Sequence, residues 1–161
     1  VISRLVRSAD FERVLRTRSR ASSVHFAVHH VPDRPSTPTK PVKKSISAEL
    51  STDVAVDVTL PVDDSVKLMT VRALPDALWL GAVVPKRHAK RSVTRTLLKR
   101  QIRAVVGDQG SALATGLWVV RLRAPFDRSH FVSAASDELK RVARTELQQL
   151  LTSAAQRVGG R

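Results

Sequence analysis

Apolar and polar positions change period several times along the chain, and each change marks an element. Near the start, Phe11, Val14 and Leu15 recur at helical spacing. Ser8 stands ahead of them as an N-cap, with Asp10 and Glu12 near the positive end of the helix. The pattern predicts that this helix frays over Thr17–Ala21. Val24–Val31 alternates Val24, Phe26 and Val28 with His25, Ala27 and His29, which is the period of a strand. Ala77–Val84 is nearly all apolar and stops at Pro85, as a strand covered on both faces does. Ser92–Val106 returns to the helical period and closes at Gly107. Leu117, Trp118, Val119, Val120 and Leu122 give a third strand over Gly116–Arg123, ended by Pro125. From Ser133 to Arg157 neither Gly nor Pro intervenes, and Leu139, Val142, Leu147, Leu150 and Leu151 stripe the longest helix, which ends before Gly159-Gly160. The order helix, strand, insertion, strand, helix, strand, helix predicts a small sheet with helices packed on it.

The insertion is set apart by composition. Pro32, Pro35, Pro38 and Pro41 recur every third residue, a spacing that excludes a helix or a central strand and favours extended backbone. From Ser45 to Leu78 there are six acidic residues (Glu49, Asp53, Asp57, Asp63, Asp64, Asp76) against Lys67 and Arg72, a net of −4. Residues 31–76 are therefore read as a Pro-rich, acidic insertion, at least partly flexible, in a single domain of 1–161 whose core is 4–30 and 78–157. Val54, Val56, Val58 and Leu60 alternate with polar or small residues, so an extra hairpin arm is expected inside it.

Charge narrows the function classes. The 161 residues carry 28 Lys and Arg against 14 Asp and Glu, a net of +14, and outside the acidic stretch the excess is +18. A polyanionic partner follows, nucleic acid before an acidic membrane surface. With 42% hydrophobic residues the chain is no disordered basic tail. Cysteine is absent, which excludes a disulfide scaffold, a Cys-ligated zinc module and a thiol nucleophile. No apolar run approaches the ~20 residues of a membrane span, and Val1–Arg20 is too evenly charged for a secretory signal. The expectation is a soluble, cytoplasmic protein.

The basic segment Lys86–Arg103 holds eight cations, one His and no acid in eighteen positions. At 100° per residue, Arg95, Lys99 and Arg103 form one stripe, with Arg100 and Thr96 beside it and Arg91 in support. Leu98, Ile102 and Val105 lie on another arc, suited to packing on the sheet. Like charges at i, i+4 destabilise an isolated helix by a few tenths of a kcal/mol each, so the stacking calls for an anion. A solvated basic face is the plainer alternative; the lack of any interspersed acid favours nucleic acid.

At these residues the chain resembles the protein component of bacterial ribonuclease P. Leu80-Gly81-Ala82-Val83-Val84-Pro85-Lys86-Arg87 is similar to the family's strand end, Gly-x-x-Val-x-Lys. Ser92-Val93-Thr94-Arg95-Thr96-Leu97-Leu98-Lys99-Arg100-Gln101-Ile102-Arg103 is similar to its helix, A-V-x-R-N-x-x-K-R-x-x-R. Upstream, Arg4-Leu5, Asp10-Phe11 and Val14 fit the opening R-L-x-x-x-x-D-F-x-x-V. The likeness covers about residues 4–30 and 78–151. Two positions depart from it: Thr96 stands for Asn and keeps a hydroxyl able to bond a phosphate, whereas Leu97 lacks the family's guanidinium.

The resemblance implies an α/β fold, an α+β sandwich whose small central sheet carries helices and a left-handed β-α-β crossover, like the second domain of ribosomal protein S5, with a long insertion between the first two strands. It implies a ribonucleoprotein endonuclease. The protein binds the catalytic RNA subunit and precursor tRNA with its 5′ leader, and the RNA carries out cleavage with Mg2+ that it holds itself. RNA-binding residues are then Lys86, Arg87, Lys90, Arg91, Arg95, Thr96, Lys99, Arg100 and Arg103. Phe11, Leu15, Phe26 and His29 fall near the cleft that receives the leader, although core packing serves equally for Phe11 and Phe26.

Protein-centred catalysis finds no support in the residues. His25 and His29 should share one strand face, with His30 on the other, and no carboxylate stands at ligand-like spacing from them. His88 belongs to the basic run. Asp63-Asp64 reads as solvated charge, and no nucleophile elbow or phosphate-cradling Gly-rich loop occurs. The expectation is no catalytic side chain and no metal held by the protein alone. Trp79 and Trp118 are expected in the core or at the sheet edge. Two rival classes are a ribosomal or other rRNA-binding structural protein, and a helix-turn-helix DNA binder. The second lacks the short helix and tight turn that should precede its recognition helix, so neither DNA nor a membrane is expected as partner.

Overall fold

The computed structural model describes residues 1–37, 75–133 and 136–160. One compact unit is formed by Val1–Ser36 with Ala73–Arg161; the second, Thr37–Arg72, lies outside the described residues save for Thr37. The hairpin arm expected at Val54–Leu60, and Asp63-Asp64, lie outside them too.

The elements run β1 (Ile2–Arg4), α1 (Ser8–Leu15), β2 (Ala21–Ser22), β3 (Phe26–Val31), β4 (Leu78–Val83), α2 (Ser92–Gln109), a 3-10 turn at Gly110–Ala112, β5 (Gly116–Leu122) and α3 (Asp137–Gly159). They build one mixed sheet in the order β1-β4-β5-β3-β2. β4 lies parallel to β5, in register from Leu78 opposite Gly116 to Val83 opposite Arg121, and α2 makes the crossover between them. β3 runs antiparallel to β5, Phe26 opposite Leu122. β1 pairs with β4 only at Leu78–Leu80, so among the described residues Gly81–Val83 forms an open sheet edge.

Alternation within the strands divides the interior in two. Phe26 and Val28 of β3, with Trp118, Val120 and Leu122 of β5, face Leu98, Ile102 and Val105 of α2 and Leu139, Ala143, Leu147 and Leu151 of α3. On the other face Leu117 and Val119 meet Leu5 and Val14, with Phe11, Leu15, Val31, Trp79 and Val83 packed around them. The helical arc Leu98, Ile102 and Val105 is fully buried, as its period requires. Trp118 is buried as well, and its indole N–H donates to the Ala114 carbonyl at 2.8 Å. Gly116 opens β5 at φ 128°, where a Cβ would also lie 2.6 Å from the Val31 carbonyl oxygen; only glycine suits that position.

Several sequence expectations are corrected. β1 and β2, three and two residues long, are too short to leave a period in the sequence. Arg7, not Ser8, is the N-cap of α1, with no side-chain cap bond; Ser8 is already helical. β3 starts at Phe26 rather than Val24, which is 75% exposed. All of Phe26–His30 is buried, because helices cover both faces there. α2 continues through Gly107 to Gln109: no neighbour crowds that exposed glycine, and its cost of ~1 kcal/mol does not stop a helix anchored by Val105 and Val106. α3 begins at Asp137, because Ser136 accepts the Leu139 amide as its cap, and it runs on through Gly159.

Candidate nucleic-acid interface

α2 starts without any of the usual aids. Its N-cap is Arg91, no side chain caps it, and no acid lies in its first turn. Lys90 and Arg91 thus stand at the positive end of the helix dipole, where an anion belongs. α3 is the contrast, with Ser136 as cap and Asp137 and Glu138 in its first turn. Tertiary bonds hold the start of α2 instead. The Arg95 guanidinium donates to the carbonyls of Ala89 (3.0 Å) and Lys90 (2.7 Å), and Arg91 donates to the Val132 carbonyl. A tight turn at Pro85, whose carbonyl accepts the amides of His88 and Ala89, brings Lys86 and Arg87 to the same end.

The basic residues therefore fall into two kinds. Arg95 and Arg91 are engaged by backbone carbonyls, and Arg87 donates to the His88 ring. Lys86, Lys90, Arg100 and Arg103 are exposed, Lys99 is half-buried, and none of the five makes an ion pair among the described residues. Thr96 is exposed between them. Lys99 and Arg103 turn toward the open edge of β4. There they line a cleft of about 120 Å3 with Arg4, Phe11, Leu80 and Ala82. Arg100 and Thr96 lie on the opposite flank of the helix, toward α3.

The leader-cleft candidates separate. Phe11 and Leu15 sit side by side on α1, half-buried against the second core cluster. His29 opens on that face also, 9% exposed, its Nδ1–H donating to the Thr17 carbonyl at 2.9 Å. Burial lowers the His29 pKa; the Thr17 carbonyl opposes the shift and the nearby Arg121 charge adds to it. The neutral ring thus keeps Nε2 as an acceptor. Phe26 is not with them. It is fully buried on the other face, against Phe126, because its place in β3 has the opposite parity. His25 is a second correction: it precedes the ladder, and its ring stacks on Phe126 and bonds Glu146 of α3 at 2.7 Å, away from His29. Burial pushes the Glu146 carboxyl up, but hydrogen bonds from Ser23 and from the His25 amide and ring outweigh it and hold the pKa below its ordinary value. His30 faces Trp118, as its parity requires.

Two cations escaped the sequence reading. Arg121 is half-buried beside His29, and its signal was a single charge within an otherwise apolar β5. Arg4 reaches the cleft because β1 pairs with β4, which no local pattern shows. Among the described residues no group of three or more His, Asp or Glu side chains could hold a metal ion. The magnesium that the resemblance implies thus finds no fitting ligand set in these side chains. Nor is any described helix long and apolar enough to cross a membrane.

Cations without an acidic partner among the described residues thus line one helix beside a half-apolar cleft, in a basic protein of the α+β class. The Ribonuclease P family profile matches residues 2–157. A ribonuclease P protein component of Burkholderia pseudomallei (strain 1106a) is 38% identical over 82 residues, 51% of this chain and 60% of that protein. One of Ralstonia pickettii (strain 12J) is 39% identical over 71 residues, 44% of this chain and 49% of that protein. The matched stretch spans less than two thirds of either relative. The RNase P protein from Staphylococcus aureus has a similar fold, with a TM-score of 0.54 over 95% of this chain and 89% of that one at 18% identity. The chain belongs to the ribonuclease P protein family.

Proposed function

We propose that this chain is the protein subunit of a ribonuclease P that works in the cytoplasm and removes the 5′ leader from precursor tRNA. Its α2 cations bind the catalytic RNA subunit, and the α1 face takes the single-stranded leader. The RNA subunit holds the magnesium ions and performs the hydrolysis, so the protein supplies binding and positioning. The observation that carries this reading is the division of labour on α2. Leu98 and Ile102 are fully buried against the sheet while Lys99, Arg100 and Arg103 point outward without acidic partners among the described residues.

Each residue has a distinct task in it. Lys99 and Arg103 neutralise phosphates at the β4 edge, with Arg4 on the facing strand. Lys86, Lys90 and Arg100 extend the track. Arg95 and Arg91 hold the turn before α2 in place, which makes them positioning residues as much as contacts. Phe11 and Leu15 offer apolar surface to leader bases, with His29 and Arg121 beside them.

The test is titration of a ribonuclease P RNA transcript at several salt concentrations, with precursor tRNA cleavage followed in parallel. Affinity should fall steeply with salt, and Lys99→Ala or Arg103→Ala should each reduce the salt slope by about 1. Cleavage at low magnesium should rise on adding the parent protein and less so with either variant. Salt-independent binding, or both variants binding as the parent does, would overturn the assignment of α2. Co-sedimentation with a ribosomal subunit in place of one structured RNA would point to the rRNA-binding class instead.

A further inference from the structure

A groove of about 490 Å3 lies between the N-terminal parts of α2 and α3; Arg100 and Thr96 at its edge have been given roles above, but its interior has none. Its volume is within the range of sites that hold small organic groups, roughly 300–1,000 Å3. Val93 and Leu97 give it an aliphatic lining, and Arg100 and Lys140 stand at its rim with Thr96 and Asp137. Val93 is 53% exposed in the first turn of α2, an aliphatic side chain left open to solvent.

Gln101 supplies the second observation. Its side chain lines the groove, the residue is only 7% exposed, and its Oε1 is buried without a hydrogen-bond partner. Leaving a buried acceptor unpaired is costly, so a ligand that satisfies the amide gains affinity from it. A site with an aliphatic face, one amide to pair and cations at the rim suits a group that is flat, edged with donors and acceptors, and joined to phosphate. An apolar peptide would meet the lining but not the rim of this strongly cationic chain.

We propose that the groove receives one unpaired nucleobase of the bound RNA. The base lies against Val93 and Leu97, its polar edge pairs with the Gln101 amide, and its flanking phosphates sit on Arg100 and Lys140. Asp137 at the rim favours a base edge that presents an amino or imino N–H. Thr96 and Leu97, where the chain departs from the family's helix pattern, both line this groove, so the loss of a guanidinium at 97 leaves room for the ring. The inference rests on the RNA-binding reading of α2.

Its test uses the full chain and a ribonuclease P RNA transcript, with two variants that alter the groove differently. Gln101→Leu removes the amide, and Leu97→Trp fills the space; thermal unfolding first establishes that each is folded. Each should weaken binding about tenfold, in keeping with one base contact, with the salt slope unchanged because no phosphate contact is lost. Dimethyl sulfate probing should show one unpaired base protected in the parent complex and reactive in both variants. If both folded variants bind and protect as the parent does, while Lys99→Ala and Arg103→Ala weaken binding, the groove is no base site and the RNA-binding reading stands. If none of the four changes affinity, both fall.

Discussion

A Cβ at Gly81 would sit 2.4 Å from Phe11 Cε1, so the Phe11 ring lies across β4 only because residue 81 has no side chain. The glycine of the strand-end motif and the phenylalanine of the opening motif are thus one feature. Gly81→Ala should cost ~1–3 kcal/mol through overpacking and displace the ring from the α1 face. Chemical denaturation would register the first effect, and leader-dependent precursor binding the second. Another single-residue feature is His30. It is 2% exposed, its Nε2–H donates to the Thr115 carbonyl, and its Nδ1 is buried without a partner. Burial lowers its pKa from the usual 6.5; the Thr115 carbonyl opposes this and the Arg20 charge adds to it. A base whose folded pKa is depressed takes up protons in the unfolded chain first. Its contribution is therefore whole above about pH 6.5 and is lost as pH falls below that, and His29 acts in the same direction. The melting temperature should drop between about pH 7.5 and about pH 5.5, and His30→Gln, which keeps an N–H for Thr115, should flatten that slope.

Helix α2 serves two masters, and its faces should respond to different measurements. Leu98→Ala and Ile102→Ala remove side chains that are fully buried between α2 and the sheet, and each should cost ~2–5 kcal/mol of folding free energy. Lys99→Ala and Arg103→Ala should leave the melting temperature close to that of the parent while weakening RNA binding. Arg95→Ala belongs with neither pair, because its guanidinium holds the carbonyls of Ala89 and Lys90. It should lower RNA affinity, and Arg95→Lys should not restore it, since one ammonium cannot reproduce the planar fork. The absence of a cap or acidic residue at the start of α2 makes one more element-scale expectation: bound RNA should raise the melting temperature, because an anion satisfies that end only in the complex.

Removal of Thr37–Arg72 tests the organisation of the whole molecule. Arg34 and Asp76 form a 3.3 Å ion pair at the two ends of this stretch, and the Asp10 carboxylate accepts the Ser36 amide. The flanking strands β3 and β4 are therefore already held within reach of a short linker. Closing a shorter loop changes the entropy by only fractions of a kcal/mol per halving of length. The shortened protein should unfold in one cooperative transition and retain its RNA affinity, as followed by circular dichroism and the same RNA titration. A non-cooperative melt would mean that the removed segment belongs to the core.

Much of this architecture was legible in the sequence because period and punctuation are local. The buried arc of α2, the apolar β4 and β5, the long α3 and the basic stripe were all set by residues within a turn or two of one another. Parity also placed His29 and His30 on opposite faces. Three matters were decided only by chain segments remote in sequence. β1 and β2 exist because longer strands offer them ladders, and the pairing of β1 brings Arg4 to Lys99 and Arg103. His25 left its expected face because Glu146, 121 residues away, accepts both its amide and its ring. The groove beside Gln101 arises where two helices meet, and no spacing within either one encodes the gap. Hydrophobic period selects which face of an element is buried; what lies opposite that face depends on packing between elements, and so the partners of each polar group were settled only in the folded chain.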